Sequence, residues 1–96
     1  MTRVTYSPRA TLDLERLQDF VARENPVAAR ESVEAIMHGV LVLERHPLMG
    51  RSAEKGMREL VISRGRTGYV ALYDYLVRID TVVILALRHQ REEGYQ

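Results

Sequence analysis

The sequence predicts an α+β fold in which a helical hairpin packs on an antiparallel sheet in two layers. Three observations support it: the apolar period is helical up to about residue 45 and becomes two after residue 57, Pro8 and Pro26 each follow a helix-capping residue, and TVVILAL near the end is apolar and β-branched. The predicted order is β-α-α-β-β-β: an N-terminal strand, the hairpin and a three-stranded antiparallel meander. The 96 residues are expected to form one domain over residues 1–96.

The first strand and the first helix meet at a serine–proline pair. Residues 3–6 (RVTY) are β-prone, and Ser7 can cap the free N–H groups of a helix in which Pro8 is the first residue. Two ion pairs at helical separations, Asp13–Arg16 and Asp19–Arg23, are expected on the solvent side. The apolar stripe is Ala10, Leu14, Leu17 and Val21, with Phe20 beside it.

The second helix begins at another cap-and-proline pair, Asn25-Pro26, and is expected to end at His46-Pro47, because a residue before proline is disfavoured in the α conformation. Only a tight turn separates the two helices, so they should form an antiparallel hairpin. The second stripe is Ala29, Val33, Ile36, Val40 and Leu43, widened by Met37.

The remaining residues predict the meander. Thr81–Leu87 is almost wholly apolar, which is typical of a strand at the centre of a sheet or covered on both faces. In order, we expect a loop over 46–57, a strand over Glu59–Ser63, a turn over 65–68, a strand over Tyr69–Leu76, a turn over 78–80, the strand Thr81–Leu87 and a polar tail from Arg88 onward.

Composition excludes several classes of function. The chain has no cysteine, which excludes disulfide scaffolds and thiol nucleophiles, and its three histidines, His38, His46 and His89, show no metal-ligand spacing. We therefore expect no metal and no other cofactor. No phosphate loop, dinucleotide-binding glycine motif or nucleophile elbow is present, and Gly65-x-x-Gly68 fits a hairpin turn. A formal net charge of +1 does not indicate a nucleic-acid binder.

Membrane insertion is not expected either. No apolar run approaches the roughly 18–20 residues that cross a bilayer, and the N-terminal MTRVTYSPRA lacks the apolar stretch of a secretory signal. We expect a cytoplasmic protein.

One polar cluster has the residue types for chemistry. In a meander the last strand runs in the same direction as Glu59–Ser63, so their ends meet at one edge. RNA cleavage needs a base, an acid and cations, and here His89 would shuttle the proton, Arg91 would clamp the phosphate and Tyr95 would assist. The alternative is a solvated sheet end with local hydrogen bonds. The residues gathered there are Arg64, Arg66, Arg88, His89, Arg91 and Tyr95.

Other aromatic and histidine residues also have two interpretations. Tyr69, Tyr73 and Tyr75 alternate along one strand, either as an aromatic face for a base or partner or as an ordinary packed sheet surface. His38, within an apolar helix, fits a hydrogen-bonded structural histidine better than a ligand, and His46 marks a helix end.

Taken together, the segments resemble the RelE/ParE superfamily of bacterial toxins over essentially the whole chain. The most specific are LERHPLMGR at residues 43–51, Gly68-Tyr69 leading into a strand, and LRHQRE at residues 87–92. Each is weak alone, but their order and spacing are informative together. The resemblance implies the toxin of a type II toxin–antitoxin pair, often described as a plasmid-stabilisation module.

Two activities occur in this superfamily: RelE-like members cut messenger RNA in the ribosomal A site, and ParE-like members poison DNA gyrase. The nucleases generally carry lysines in the helical half or early sheet and an arginine after the tyrosine of the third strand. Here residues 60–63 offer no lysine and Val70 follows Tyr69, although Arg91 and Tyr95 match the nuclease tail loosely. We therefore favour a ParE-like gyrase inhibitor that arrests growth by binding and not by its own bond-breaking chemistry. The alternatives are an endoribonuclease using His89, Arg91 and Tyr95, or an inactive antitoxin-binding module.

The resemblance also implies a cognate antitoxin whose C-terminal segment wraps the toxin and adds a helix and often a strand. We expect Leu12 and Leu41 to be exposed on the hairpin and to contact that partner. The alternative is that both are ordinary surface leucines.

Overall fold

In the part of the chain that the computed structural model describes, two α-helices pack on one face of a five-stranded sheet. The structure describes the backbone of residues 1–64 and 67–96 and the side chains of residues 1–62 and 68–96. The strands are β1 (Arg3–Tyr6), β2 (Arg51–Ser52), β3 (Arg58–Arg64), β4 (Thr67–Leu76) and β5 (Thr81–His89), and the helices are α1 (Pro8–Ala22) and α2 (Pro26–Val40). The predicted β-α-α-β-β-β order is confirmed, with β2 as an additional short strand.

Both predicted helix starts are confirmed by their caps. The Ser7 hydroxyl accepts a hydrogen bond from the Ala10 N–H at 3.1 Å, and the Asn25 side chain accepts from the N–H groups of Val27 and Ala28, each at 3.1 Å. Each cap pairs backbone N–H groups that have no partner within the helix, which fixes where the helix begins.

The second helix ends earlier than predicted. α2 stops at Val40, and a 3₁₀ turn over Leu41–Glu44 carries the chain to the region of His46. Such turns commonly tighten the C-terminus of an α-helix. Leu43 is fully buried within this turn, so the predicted apolar stripe continues into it.

The strand order is β1-β5-β4-β3-β2, and β3, β4 and β5 form the predicted antiparallel meander. β1 lies parallel to β5, with Arg3 opposite Thr81 and Tyr6 opposite Ile84. The sheet is therefore mixed and not wholly antiparallel. The chain leaves β1 through the helical hairpin, which allows β1 to lie beside the last strand in the same direction.

Three predicted sheet boundaries change. The loop over 46–57 contains β2, which pairs antiparallel with the start of β3. β4 begins at Thr67, within the predicted turn over 65–68, and residues 65 and 66 lie outside the described residues. β5 continues to His89 through a bulge opposite Leu72 and Tyr73. The C-terminal tail is therefore residues 90–96.

The core lies between the helices and one face of the sheet. Tyr69 and Tyr73 belong to it, which agrees with the packed interpretation of the tyrosine stripe. Three expectations were wrong: Asp13 is buried, whereas Phe20 and Met37 are exposed. The principal core side chains are Ala10, Leu17, Ile36, Val40, Leu43, Leu60, Ile62, Tyr69, Tyr73, Val82, Ile84 and Leu87.

Strand alternation gives the other side of the sheet a different set of residues. This side, which we call the open face, carries Glu59, Val70, Ala86 and Arg88, because each of them is next along its strand to a core residue that faces the helices. Val70 and Ala86 are nevertheless only 1% exposed. Some part of the chain therefore covers this face.

Candidate functional site

A groove of about 750 Å³ runs between α1, the end of the sheet and the start of the C-terminal tail. It combines apolar surface with three arginines and three carboxylates, so its formal charge is balanced. Its lining residues are Leu12, Glu15, Arg16, Leu17, Asp19, Phe20, Val21, Arg23, Tyr69, His89, Arg91 and Glu92.

The α1 wall of the groove exposes large apolar side chains. Leu12 is 63% exposed and Phe20 is 71% exposed, and both lie on the groove side of the helix, eight residues apart. Residues separated by seven or eight positions share one face of a helix. This wall is thus an unpartnered apolar stripe rimmed by Arg16 and Arg23.

The floor of the groove is an aromatic pair from two neighbouring strands. Tyr69 and His89 lie opposite each other across β4 and β5, and their rings meet edge to face with centroids 5.4 Å apart. The Arg91 N–H donates to Nδ1 of His89 at 3.0 Å. A neutral His89 therefore carries its proton on Nε2.

Arg16 connects α1 with β5 and the tail. Its guanidinium donates to the Glu92 carboxylate at 2.9 Å and to the Leu87 carbonyl at 3.3 Å, and it lies 3.7 Å from the Asp13 carboxylate. Glu92 also accepts from the His89 N–H at 2.8 Å. Burial raises the pKa of Glu92, but the hydrogen bond from His89 and the Arg16 charge outweigh it and lower the pKa overall. These contacts fix the shape of the groove wall.

Tyr95 lies on the open face and not in the groove. Its hydroxyl donates to the Glu59 carboxylate at 2.6 Å, and the Arg88 guanidinium lies 5.3 Å from its ring centroid. Burial, together with this hydrogen bond and the Glu59 charge, raises the pKa of Tyr95 far above its usual range. The same hydrogen bond lowers the pKa of Glu59; burial opposes this effect and Arg51 adds to it.

The structure divides the predicted polar cluster between the two sides of the sheet. His89 and Arg91 line the groove, whereas Arg88 and Tyr95 meet on the open face. The side chains of Arg64 and Arg66 lie outside the described residues. The predicted set of His89, Arg91 and Tyr95 is therefore not gathered in one place.

The two leucines predicted to contact a partner are also separated. Both are exposed, as expected, but only Leu12 lines the groove. Leu41 lies in the 3₁₀ turn after α2, where it is 49% exposed.

Three residues have roles that were not predicted from the sequence: Phe20, Arg16 and Glu59. Phe20 was placed beside the core stripe because it is apolar, although its helix position differs from that of Leu17. The sequence did contain a signal for the role of Arg16. Its predicted partner Asp13 lies three residues after Ala10 and four before Leu17, which places Asp13 on the buried side of α1. Nothing in the sequence indicated that Tyr95 would reach Glu59.

Among the described residues, no group of three or more histidine, aspartate or glutamate side chains is placed to hold a metal ion. In the same part of the chain, no helix has the length and apolar character needed to cross a bilayer.

Comparison with known proteins gives the family. Residues 4–94 match the family model described as the ParE toxin of the type II toxin–antitoxin system parDE. The chain is 37% identical over 92 residues to Toxin RelE3 of Caulobacter vibrioides, covering 96% of this chain and 98% of that protein.

Two solved structures have a similar fold. A structure of the chromosomal ParDE toxin–antitoxin system from P. aeruginosa superposes with a TM-score of 0.78 at 25% identity, covering 93% of this chain and 96% of the other. The RelBE2 toxin–antitoxin complex from Mycobacterium tuberculosis gives a TM-score of 0.63 at 27% identity, covering 95% of this chain and 93% of the other. Sequence and fold thus agree over nearly the whole length, and this chain belongs to the ParE toxin family of type II toxin–antitoxin systems, within the RelE/ParE superfamily.

Proposed function

We propose that this toxin arrests growth by binding DNA gyrase in the cytoplasm, without cleaving RNA, and that a cognate antitoxin neutralises it. The observation that carries the proposal is the separation of His89 and Arg91 from Tyr95 by the sheet. A nuclease built from these residues would need all three side chains around one phosphate.

The state of Tyr95 also favours binding over cleavage. Its hydroxyl proton is held by Glu59 at 2.6 Å, and its pKa is raised well above its usual range, whereas an efficient acid–base catalyst has a pKa near the working pH. Glu59 also places a negative charge beside Tyr95, which disfavours a phosphate at that position.

The groove supports the antitoxin part of the proposal. Leu12 and Phe20 provide an apolar stripe on α1, with arginines and carboxylates at its margins. An amphipathic helix fits such a surface, since its apolar side would bury these residues and its charged side would meet the margins. The ParDE and RelBE2 relatives are themselves toxin–antitoxin systems, which is consistent with this partner.

Growth and enzyme assays test the proposal. Induced expression without antitoxin should arrest growth, and the purified toxin should inhibit supercoiling by gyrase while messenger RNA in translating extracts stays intact. Unchanged supercoiling together with cleavage in the ribosomal A site would contradict the gyrase proposal. Absence of growth arrest on expression would contradict toxicity and favour an inactive antitoxin-binding module.

Two variants separate the targets further. If gyrase inhibition depends on binding surfaces alone, the variants Arg91→Ala and Tyr95→Ala should still inhibit gyrase. Neither substitution should abolish an RNA cleavage, because the wild type is expected to have none. If the wild-type protein cleaves RNA and that cleavage survives both substitutions, the predicted nuclease site is ruled out as well.

A further inference from the structure

The C-terminal tail is folded back on the protein in two sections. Its first section, residues 90–92, is held by several contacts: the Gln90 N–H donates to the Gly68 carbonyl at 2.8 Å, and Arg88 donates to the Glu92 carbonyl at 3.0 Å. Arg16 binds the Glu92 carboxylate from the helix side. This section is part of the groove wall.

The second section, residues 93–96, has far fewer contacts. The Tyr95 hydroxyl donates to Glu59, the Gln96 backbone carbonyl accepts from Arg9, and the Gln96 side chain donates to the Glu92 carboxylate. The Arg9–Gln96 contact is exposed, and exposed polar contacts contribute little because water competes for both partners. The Tyr95–Glu59 contact is part-buried, so it holds this section more firmly than the exposed Arg9–Gln96 contact does.

The side chain of Tyr95 lies across the open face of the sheet. Its hydroxyl reaches Glu59 on β3 while its ring faces Arg88 on β5, so the side chain spans the β4 strand between them. Val70 of β4 and Ala86 of β5 are each 1% exposed on the same face. The helices pack on the opposite face, and Tyr95 lies on the same side of the sheet as these two residues.

We propose that the Tyr95–Glu59 contact is a latch that holds residues 93–96 as a strap across the open face. With the latch open, Arg88 loses the Tyr95 ring, and Val70 and Ala86 become accessible to solvent. Any molecule that binds the open face must therefore displace the strap first. The latch is a single hydrogen bond to a charged group, which is strong enough to order a short terminus and weak enough to open.

Backbone ¹⁵N relaxation of the 96-residue chain tests the latch. In the wild type, order parameters at Gly94 and Tyr95 should approach the value of about 0.85 that is typical of a rigid backbone, and in Tyr95→Phe they should fall below about 0.6. Tyr75→Phe is the matched control, because the Tyr75 hydroxyl donates to the Asp80 carboxylate at 2.7 Å at the other end of the sheet. That variant should leave the tail ordered.

A second variant and a second measurement distinguish the loss of the hydrogen bond from other effects of the Tyr95→Phe substitution. Glu59→Gln retains the shape of the acceptor but removes its charge, and it should also lower the order parameters of the tail. A soluble paramagnetic agent should then broaden the signals of the Val70 and Ala86 methyl groups more in both latch variants than in wild type. A wild-type tail as mobile as a free terminus, or a Tyr95→Phe tail as ordered as wild type, would overturn the proposal.

Discussion

The Asp13 carboxylate accepts a hydrogen bond from the backbone N–H of Leu87 at 2.8 Å. Leu87 lies beyond the end of the β1–β5 pairing at Ile84, and Asp13 provides the acceptor for its N–H there. Arg16 completes the arrangement by donating to the Leu87 carbonyl. Two side chains of α1 therefore replace the backbone of an edge strand, which protects this edge against pairing with another chain.

Removing the Asp13 acceptor should destabilise the protein. Asp13→Ala leaves the buried Leu87 N–H without a partner, so we expect the free energy of unfolding to fall by about 1–3 kcal/mol. Asp19→Ala removes an exposed carboxylate from the same helix and should stay within about 0.5 kcal/mol of wild type. Urea unfolding followed by circular dichroism measures both. Equal effects of the two substitutions would show that the Leu87 contact contributes nothing specific.

Gly50 should not tolerate a side chain. It is buried, and a Cβ atom at this position would lie 2.7 Å from the Glu59 carbonyl oxygen and 2.8 Å from the Tyr73 hydroxyl. That hydroxyl accepts from the Gly50 N–H at 2.9 Å and donates to the Pro47 carbonyl at 2.8 Å, so it has little freedom to move. We expect Gly50→Ala to lower the free energy of unfolding by about 1–3 kcal/mol.

Gly94→Ala is the matched control for Gly50→Ala, because a Cβ at Gly94 meets no atom within 4 Å. It should leave the midpoint of thermal unfolding near that of wild type. If Gly50→Ala were equally neutral, the close packing of residues 47–50 against Tyr73 would be contradicted.

Acid should weaken the folded state partly through Glu59. The pKa of Glu59 is lowered in the fold, chiefly by the Tyr95 hydrogen bond, so its contribution to stability is present above the ordinary glutamate pKa and is lost as pH falls through the folded value. Between about pH 5 and 3, the free energy of unfolding should therefore fall less steeply in Glu59→Gln than in wild type.

Glu54→Gln supplies the control for this pH dependence, since it removes an exposed carboxylate from the segment before β3. Urea unfolding at a series of pH values should give it the same slope as wild type. Identical slopes for all three proteins would argue that Tyr95 does not hold Glu59 in its charged form.

Residue patterns predicted the fold well because its determinants are local. The cap–proline pairs at residues 7–8 and 25–26 and the alternation along β3 and β4 depend on neighbouring residues, and each is confirmed. The site depends on distant contacts. Asp13 was assigned to solvent from its pairing with Arg16, and its Leu87 partner lies 74 positions away. The latch between Tyr95 and Glu59 spans 36 positions and two strands, so no local pattern could reveal it.

The different positions of Leu12 and Leu41 lead to a last prediction, about the antitoxin. Leu12 lines the groove with Phe20, whereas Leu41 lies outside it. If a helix of the partner fills the groove, Leu12→Ala should weaken its binding by about tenfold or more, since fully burying a leucine side chain contributes about 1.5–3 kcal/mol. Leu41→Ala should change the affinity by less than about twofold, as most residues outside the centre of an interface do. Both leucines are exposed in the free toxin, so neither substitution should alter its unfolding, and calorimetric titration with the cognate antitoxin can compare the two directly. A larger loss for Leu41→Ala than for Leu12→Ala would place the partner on the end of the hairpin instead of in the groove.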